Sequence, residues 1–154
     1  MKRRSFLKAS VASSTLVAAA SMGLLAPISV FAADWPEAAI TANTVDDALN
    51  AAFGTSEMTD SDAITIQAPL QAENGAVVPV KITTTLPAEA IAVLAEKNPA
   101  PMVSLVQLGS AAGGVYSVRI KMGTTSPVHC VVQSGGKLYK ATQEIKVTVG
   151  GCGG

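Results

Sequence analysis

The chain has 154 residues, with 11 basic and 11 acidic side chains that cancel, and only 14% of it is charged against 49% apolar. That balance excludes a disordered body, which needs high charge and little apolar content. It also leaves no concentrated positive surface for nucleic acid or anionic lipid.

The first element is a leader over residues 1–32. Lys2-Arg3-Arg4-Ser5-Phe6-Leu7-Lys8 is basic, and an Ala/Ser/Thr-rich stretch follows to Val30, broken at Gly23 and Pro27. Val30-Phe31-Ala32 then offers short side chains at the two positions a signal peptidase requires. This pattern predicts an export signal, and the pair Arg3 and Arg4 specifies the twin-arginine route. The alternative is an uncleaved anchor, against which the serines and Pro27 dilute and interrupt the apolar run. Cleavage would remove Lys2, Arg3, Arg4 and Lys8 but no acid, leaving seven basic residues against 11 acidic, a charge of −4 with His129 neutral. The mature protein is expected in the periplasm, bound to neither nucleic acid nor membrane. Its length of about 120 residues suits one domain with a single core.

Helical character is strongest over 36–53. Pro36 stands near a first turn, Ala39, Ile40, Val45, Ala48, Leu49 and Phe53 supply an apolar face, and Gly54 is a stop. From Ala63 onward the pattern becomes short alternating runs between turn residues. Strands are predicted at 64–66 and 77–85, separated by the turn Asn74-Gly75, with Pro79 tolerable only at an edge or bulge. Further strands are predicted at 91–96 and 102–108, flanking Lys97-Asn98-Pro99, and at 115–121 after Gly113-Gly114. The last two, 128–133 and 138–149, are joined by Ser134-Gly135-Gly136-Lys137, a hairpin signal. About seven strands at this spacing make an all-β fold, an immunoglobulin-like antiparallel β-sandwich over residues 33–149 with a short helical segment in front.

The chain ends in Gly150-Gly151-Cys152-Gly153-Gly154. Glycine has no Cβ and offers nothing to pack, so this segment costs entropy to order. A core cysteine would have apolar neighbours, and a metal ligand would have partners at fixed spacing. Cys152 has neither. Five extended residues reach roughly 18 Å, and a tail without side chains except one thiol suits a narrow site on another protein. Cys152 reads as a covalent attachment point on a flexible arm, with Gly150, Gly151, Gly153 and Gly154 as the arm. A frayed end with an incidental cysteine is the plain alternative.

Conventional catalytic groups are sparse elsewhere. His129 is the single histidine, and its neighbour Cys130 faces the opposite side of the same strand, so the two cannot chelate one ion. A surface-facing strand histidine is the ordinary account of His129. Cys130 shares a face with Val128 and Val132 and reads as a small buried hydrophobe; a disulfide with Cys152 is its rival, since the periplasm permits one. Asp46-Asp47 and Asp60-Ser61-Asp62 lack Ca²⁺-loop spacing and read as a solvated helix face and a turn. The glycines of 109–114 lie between strands rather than before a helix, and read as a loop. No metal site and no resident cofactor is expected.

The tail sequence Ile145-Lys146-Val147-Thr148-Val149-Gly150-Gly151-Cys152-Gly153-Gly154 resembles the carboxy-terminal signature of the SoxY family. Glu73-Asn74-Gly75-Ala76-Val77-Val78-Pro79-Val80, Lys97-Asn98-Pro99 and Ser126-Pro127-Val128 are similar to further segments of that family in the same order. The resemblance implies a carrier of the periplasmic thiosulfate-oxidising system, not an enzyme. It implies that Cys152 is linked to thiosulfate sulfur by a haem c-containing transferase and that a hydrolase then releases sulfate. The remaining sulfane sulfur would then be oxidised by a molybdenum-containing dehydrogenase or stored. It also implies a heterodimer with a SoxZ-like β-sandwich subunit. Cys130 departs from the family pattern, in which the tail cysteine usually stands alone.

Two other classes compete with this reading. A ubiquitin-like sulfur carrier also ends in Gly-Gly but uses a terminal thiocarboxylate, here on Gly154, and works in the cytoplasm. A secreted binding module would use Cys152 as a disulfide tether to another protein.

Overall fold

The computed structural model describes residues 36–109 and 111–148. Two helices come first, α1 (Glu37–Thr41) and α2 (Val45–Phe53). They replace the single helical segment expected over 36–53. The break has a local cause. Thr44 is extended and caps α2, its Oγ1 accepting the Asp47 N–H at 3.1 Å and donating to Asp47 Oδ2 at 2.7 Å. Asp46 and Asp47 then sit in the first turn, where acidic groups favour the helix dipole. Gly54 closes α2 at φ 75°, its N–H donating to Asn50 O at 2.9 Å.

Nine strands follow: β1 (Met58–Asp60), β2 (Ile64–Gln67), β3 (Gln71–Ala72), β4 (Val78–Thr84), β5 (Ala90–Ala95), β6 (Met102–Gln107), β7 (Val115–Ile120), β8 (Ser126–Ser134) and β9 (Lys137–Val147). They form an immunoglobulin-like sandwich of two sheets. The larger has the order β1-β9-β8-β5-β6, with β3 also on β9; the smaller has the order β2-β4-β7. The seven strands expected from sequence all pair antiparallel. The two additional ones, β1 and β3, run parallel to β9 along its other edge. Strands of three and two residues hold no readable alternation, which is why the sequence pattern missed them.

Pro79 shows how the smaller sheet tolerates a proline in its central strand. Thr84 N–H donates to Gly114 O beside β7, and Thr85 N–H to Ala63 O on the β2 side. Backbone groups alternate along a strand, so position 79 faces the β2 side. β2 has ended by then, its last pair being Gln67 with Lys81. The missing N–H therefore costs no ladder bond. Between β8 and β9, Gly135 and Gly136 both adopt positive φ, 57° and 71°, the two-residue hairpin turn that only glycine-like residues enter freely.

Two apolar layers cover the larger sheet. Between the sheets, Val78, Val80, Ile82 and Ile120 pack against Ile91, Val93, Val128, Cys130, Val132 and Ile145. On the outer face, Ala39, Ala48 and Leu49 from the helices meet Ala92, Leu94, Val131 and Leu138. Because both its faces are covered, β5 is buried at all six positions and reads Ala-Ile-Ala-Val-Leu-Ala without alternation.

Candidate functional site

The expected site residues Cys152, Gly150, Gly151, Gly153 and Gly154, and the export residues Arg3 and Arg4, lie outside the described residues. What the fold presents is the root from which the tail begins. β9 is the longest strand, 11 residues, and is held on both edges near its end. On one edge it pairs with β8 as far as Ile145 opposite Ser126. On the other, Lys146 N–H donates to Leu70 O at 2.9 Å and Thr148 N–H to Ala72 O at 3.3 Å.

A third segment closes over this root. Met122 N–H donates to Gly75 O at 2.7 Å. A Cβ at Gly75 would overlap Met122 O and lie 2.8 Å from Val147 Cγ1. The Asn74-Gly75 turn thus uses glycine to bring backbone against the last residue of β9. Asn74 shapes the turn through its side chain, Oδ1 accepting the Ala76 N–H at 2.9 Å.

Cys130 is fully buried between the sheets and is a free thiol, as the core reading of its neighbours expects. A bridge to Cys152 would require its sulfur to leave that layer. Desolvation pushes the thiol from 9.0 up to about 12, so it stays protonated and unreactive at neutral pH. The folded chain keeps this proton after the unfolded chain has released its own. The stabilising contribution is complete below about pH 9 and is lost as pH rises toward 12. Iodoacetamide is therefore expected to leave Cys130 unmodified in native protein and to modify it fully in denaturant, as read by peptide mass mapping. Equal rates in both conditions would place Cys130 outside the core.

His129 is less exposed than a surface-facing histidine would be, with a side chain only 12% accessible. Its Nδ1 lies 2.9 Å from Thr142 Oγ1 and its Nε2 lies 3.1 Å from Glu96 Oε2. The ring ties β8 to β9 and to the residue after β5. Cys130 points away from it into the opposite layer, as strand alternation requires. The acidic clusters fall in the first turn of α2 and across the end of β1 into the turn before β2. Asp46 and Asp47 open α2, while Asp60 is 3.9 Å from Lys140 Nζ and 84% exposed, a weak surface pair. The 109–114 segment links β6 to β7, with Ala112 N–H donating to Gly109 O at 2.8 Å. Among the described residues no three His, Cys, Asp or Glu side chains converge as metal ligands would.

The family model described as sulfur oxidation protein SoxY matches residues 49–152. Among solved structures, the chain is similar to the sulfur carrier protein SoxY from Chlorobium limicola f thiosulfatophilum. The two are 42% identical, with 69% of this chain and 97% of that one covered and a TM-score of 0.62. It is also similar to the PKD domain of an M14-like peptidase from a Thermoplasmatales archaeon. That match is 14% identical, covers 55% of this chain and 91% of that one, and has a TM-score of 0.39, too low to bear on function. Comparison with curated proteins finds no match.

Proposed function

The chain belongs to the SoxY family of sulfur carriers, and on that premise we propose that Cys152 is the residue to which its cargo is covalently bound. The family is one of carriers. The observation that favours Cys152 is the contrast between the two thiols. Cys130 is buried and held protonated, whereas Cys152 stands among glycines beyond the end of β9. Only a thiolate forms and exchanges sulfur–sulfur bonds.

In this reading, the Cys152 thiolate couples to the sulfane sulfur of thiosulfate, and the two electrons released pass to a haem c-containing transferase. Water then cleaves the sulfur–sulfonate bond at a hydrolase, giving sulfate and two protons and leaving a persulfide on Cys152. The remaining sulfane sulfur is then either oxidised by a molybdenum-containing dehydrogenase, which takes up the electrons, or stored. The cargo is the chain's only bound group, and a SoxZ-like subunit completes a heterodimer. Holding the intermediate on one tail keeps its effective concentration high at each successive enzyme. The leader with Arg3 and Arg4 directs the chain to the periplasm by the twin-arginine route.

Intact-mass analysis of the periplasmic fraction from thiosulfate-grown cells tests these points together. The expected species lacks the leader up to about Ala32 and carries a reductant-labile sulfur adduct that maps to Cys152. Sulfur on the Gly154 carboxylate would instead indicate a thiocarboxylate carrier. An obligate disulfide to another protein would indicate a tethered binding module.

A further inference from the structure

At the tail root, two side chains from remote parts of the chain hold the residues from which the tail departs. β8 supplies backbone partners for β9 only as far as Ser126 opposite Ile145. The next partner on that edge would be Thr124, but the chain bends there. Thr125 fills the gap with its side chain. Its Oγ1 accepts the Val147 N–H at 3.0 Å and donates to Val147 O at 3.5 Å. One hydroxyl thus satisfies both backbone groups that a strand partner would have bonded, the N–H more tightly than the carbonyl. On the opposite edge, beyond the backbone bond from Thr148 to Ala72, Gln71 Nε2 donates to Thr148 Oγ1 at 3.1 Å.

We propose that Thr125 and Gln71 are positioning residues that fix where the cargo-bearing tail leaves the fold, and so set its reach and direction. The proposal rests on Cys152 being the carrier thiol. Cys152 lies four residue steps beyond Thr148, a span of roughly 14 Å when extended. With the side-chain bonds lost and the end of β9 frayed back to Ile145, the span becomes seven residue steps, roughly 24 Å. Effective concentration falls with about the −3/2 power of tether length, so lengthening alone lowers productive entry into a docked enzyme about 2-fold. Loss of a fixed starting direction adds to this. A carrier served by several enzymes gains from one defined origin, since each enzyme can place its entrance at the same distance.

Thr125→Val keeps the side-chain shape and removes the hydroxyl, Thr125→Ser keeps the hydroxyl, and Gln71→Ala alters only the exposed partner. Amide hydrogen exchange at Val147 and Thr148 is expected to accelerate at least about tenfold in Thr125→Val and to return to the wild-type rate in Thr125→Ser, since exchange reports local opening. With the sulfate-releasing hydrolase and sulfur-loaded carrier, kcat/KM is expected to fall about two- to fivefold in Thr125→Val. Gln71→Ala should fall less and the double variant most, while iodoacetamide modifies Cys152 at the wild-type rate throughout. Unchanged exchange or unchanged turnover in Thr125→Val and the double variant, with wild-type carrier loading normally, overturns the positioning role alone. Wild-type protein that never acquires sulfur on Cys152 overturns the carrier reading and this role with it.

Discussion

A Cys152→Ser carrier is expected to fold, to bind its partner subunit and to support no thiosulfate-dependent electron release. Serine has nearly the same shape, and residue 152 lies beyond the last strand, so the sandwich should be unaffected. Its hydroxyl stays protonated in water and forms no sulfur–sulfur bond, so the loss should reach background rather than a fractional rate. Electron transfer to the haem transferase in the presence of thiosulfate is the direct measurement, with peptide mapping of sulfur adducts alongside it. Cys130 is the only other cysteine in the sequence, and its buried, protonated thiol cannot substitute. Adducts that persist in Cys152→Ser protein would show that Cys130 or another residue carries the cargo.

The second large effect is expected from the glycines beside that thiol. A Gly151→Val/Gly153→Val double variant places a β-branched side chain on each side of Cys152, which would stiffen and widen the tail that, on the proposed reading, enters a narrow site on each enzyme. Stability should change by no more than about 0.5 kcal/mol, the range for changes that touch no core. Small alkylating reagents should modify Cys152 at near the normal rate. Turnover with the enzymatic partners should nevertheless fall about ten- to a hundredfold, the scale of misplacing a reacting group by about an ångström. Wild-type turnover in the double variant would mean that tail slimness plays no part in cargo delivery.

The sandwich was legible because its long strands alternate, and the exception, β5, is continuous for a physical reason. With helices on one side and the second sheet on the other, its six residues have no solvent face to mark with polar groups. The break between the helices was also written in the chain, as Thr44 followed three residues later by Asp47. That cap signal lies inside an apolar pattern that reads as continuous helix. β1 and β3 were not legible. Each exists because β9 has a free edge to pair with, a tertiary circumstance with no local signature. For the site, the glycines around Cys152 single out that thiol in the sequence, and the residue itself lies outside the described structure. Thr125 and Gln71 gave no warning, since a threonine in a bend and a glutamine in a two-residue strand are ordinary where they stand. Their significance appears only when segments 22 and 77 residues apart are brought to the end of β9.

The pairing of β9 also has a mechanical consequence. If Cys152 carries the cargo, an enzyme that draws the tail into its entrance would put tension on the domain through Val147. A pull along the axis of β9 is a shear on its ladder with β8, where nine residue pairs stand in register. Hydrogen bonds loaded this way share the force and must yield nearly together, whereas bonds peeled from one end break singly at a much lower load. The parallel contacts to β1 and β3 on the other edge add resistance against the same displacement. On the proposed carrier reading, cargo bound at Cys152 would be pulled by each partner in turn while β9 stays in the sheet.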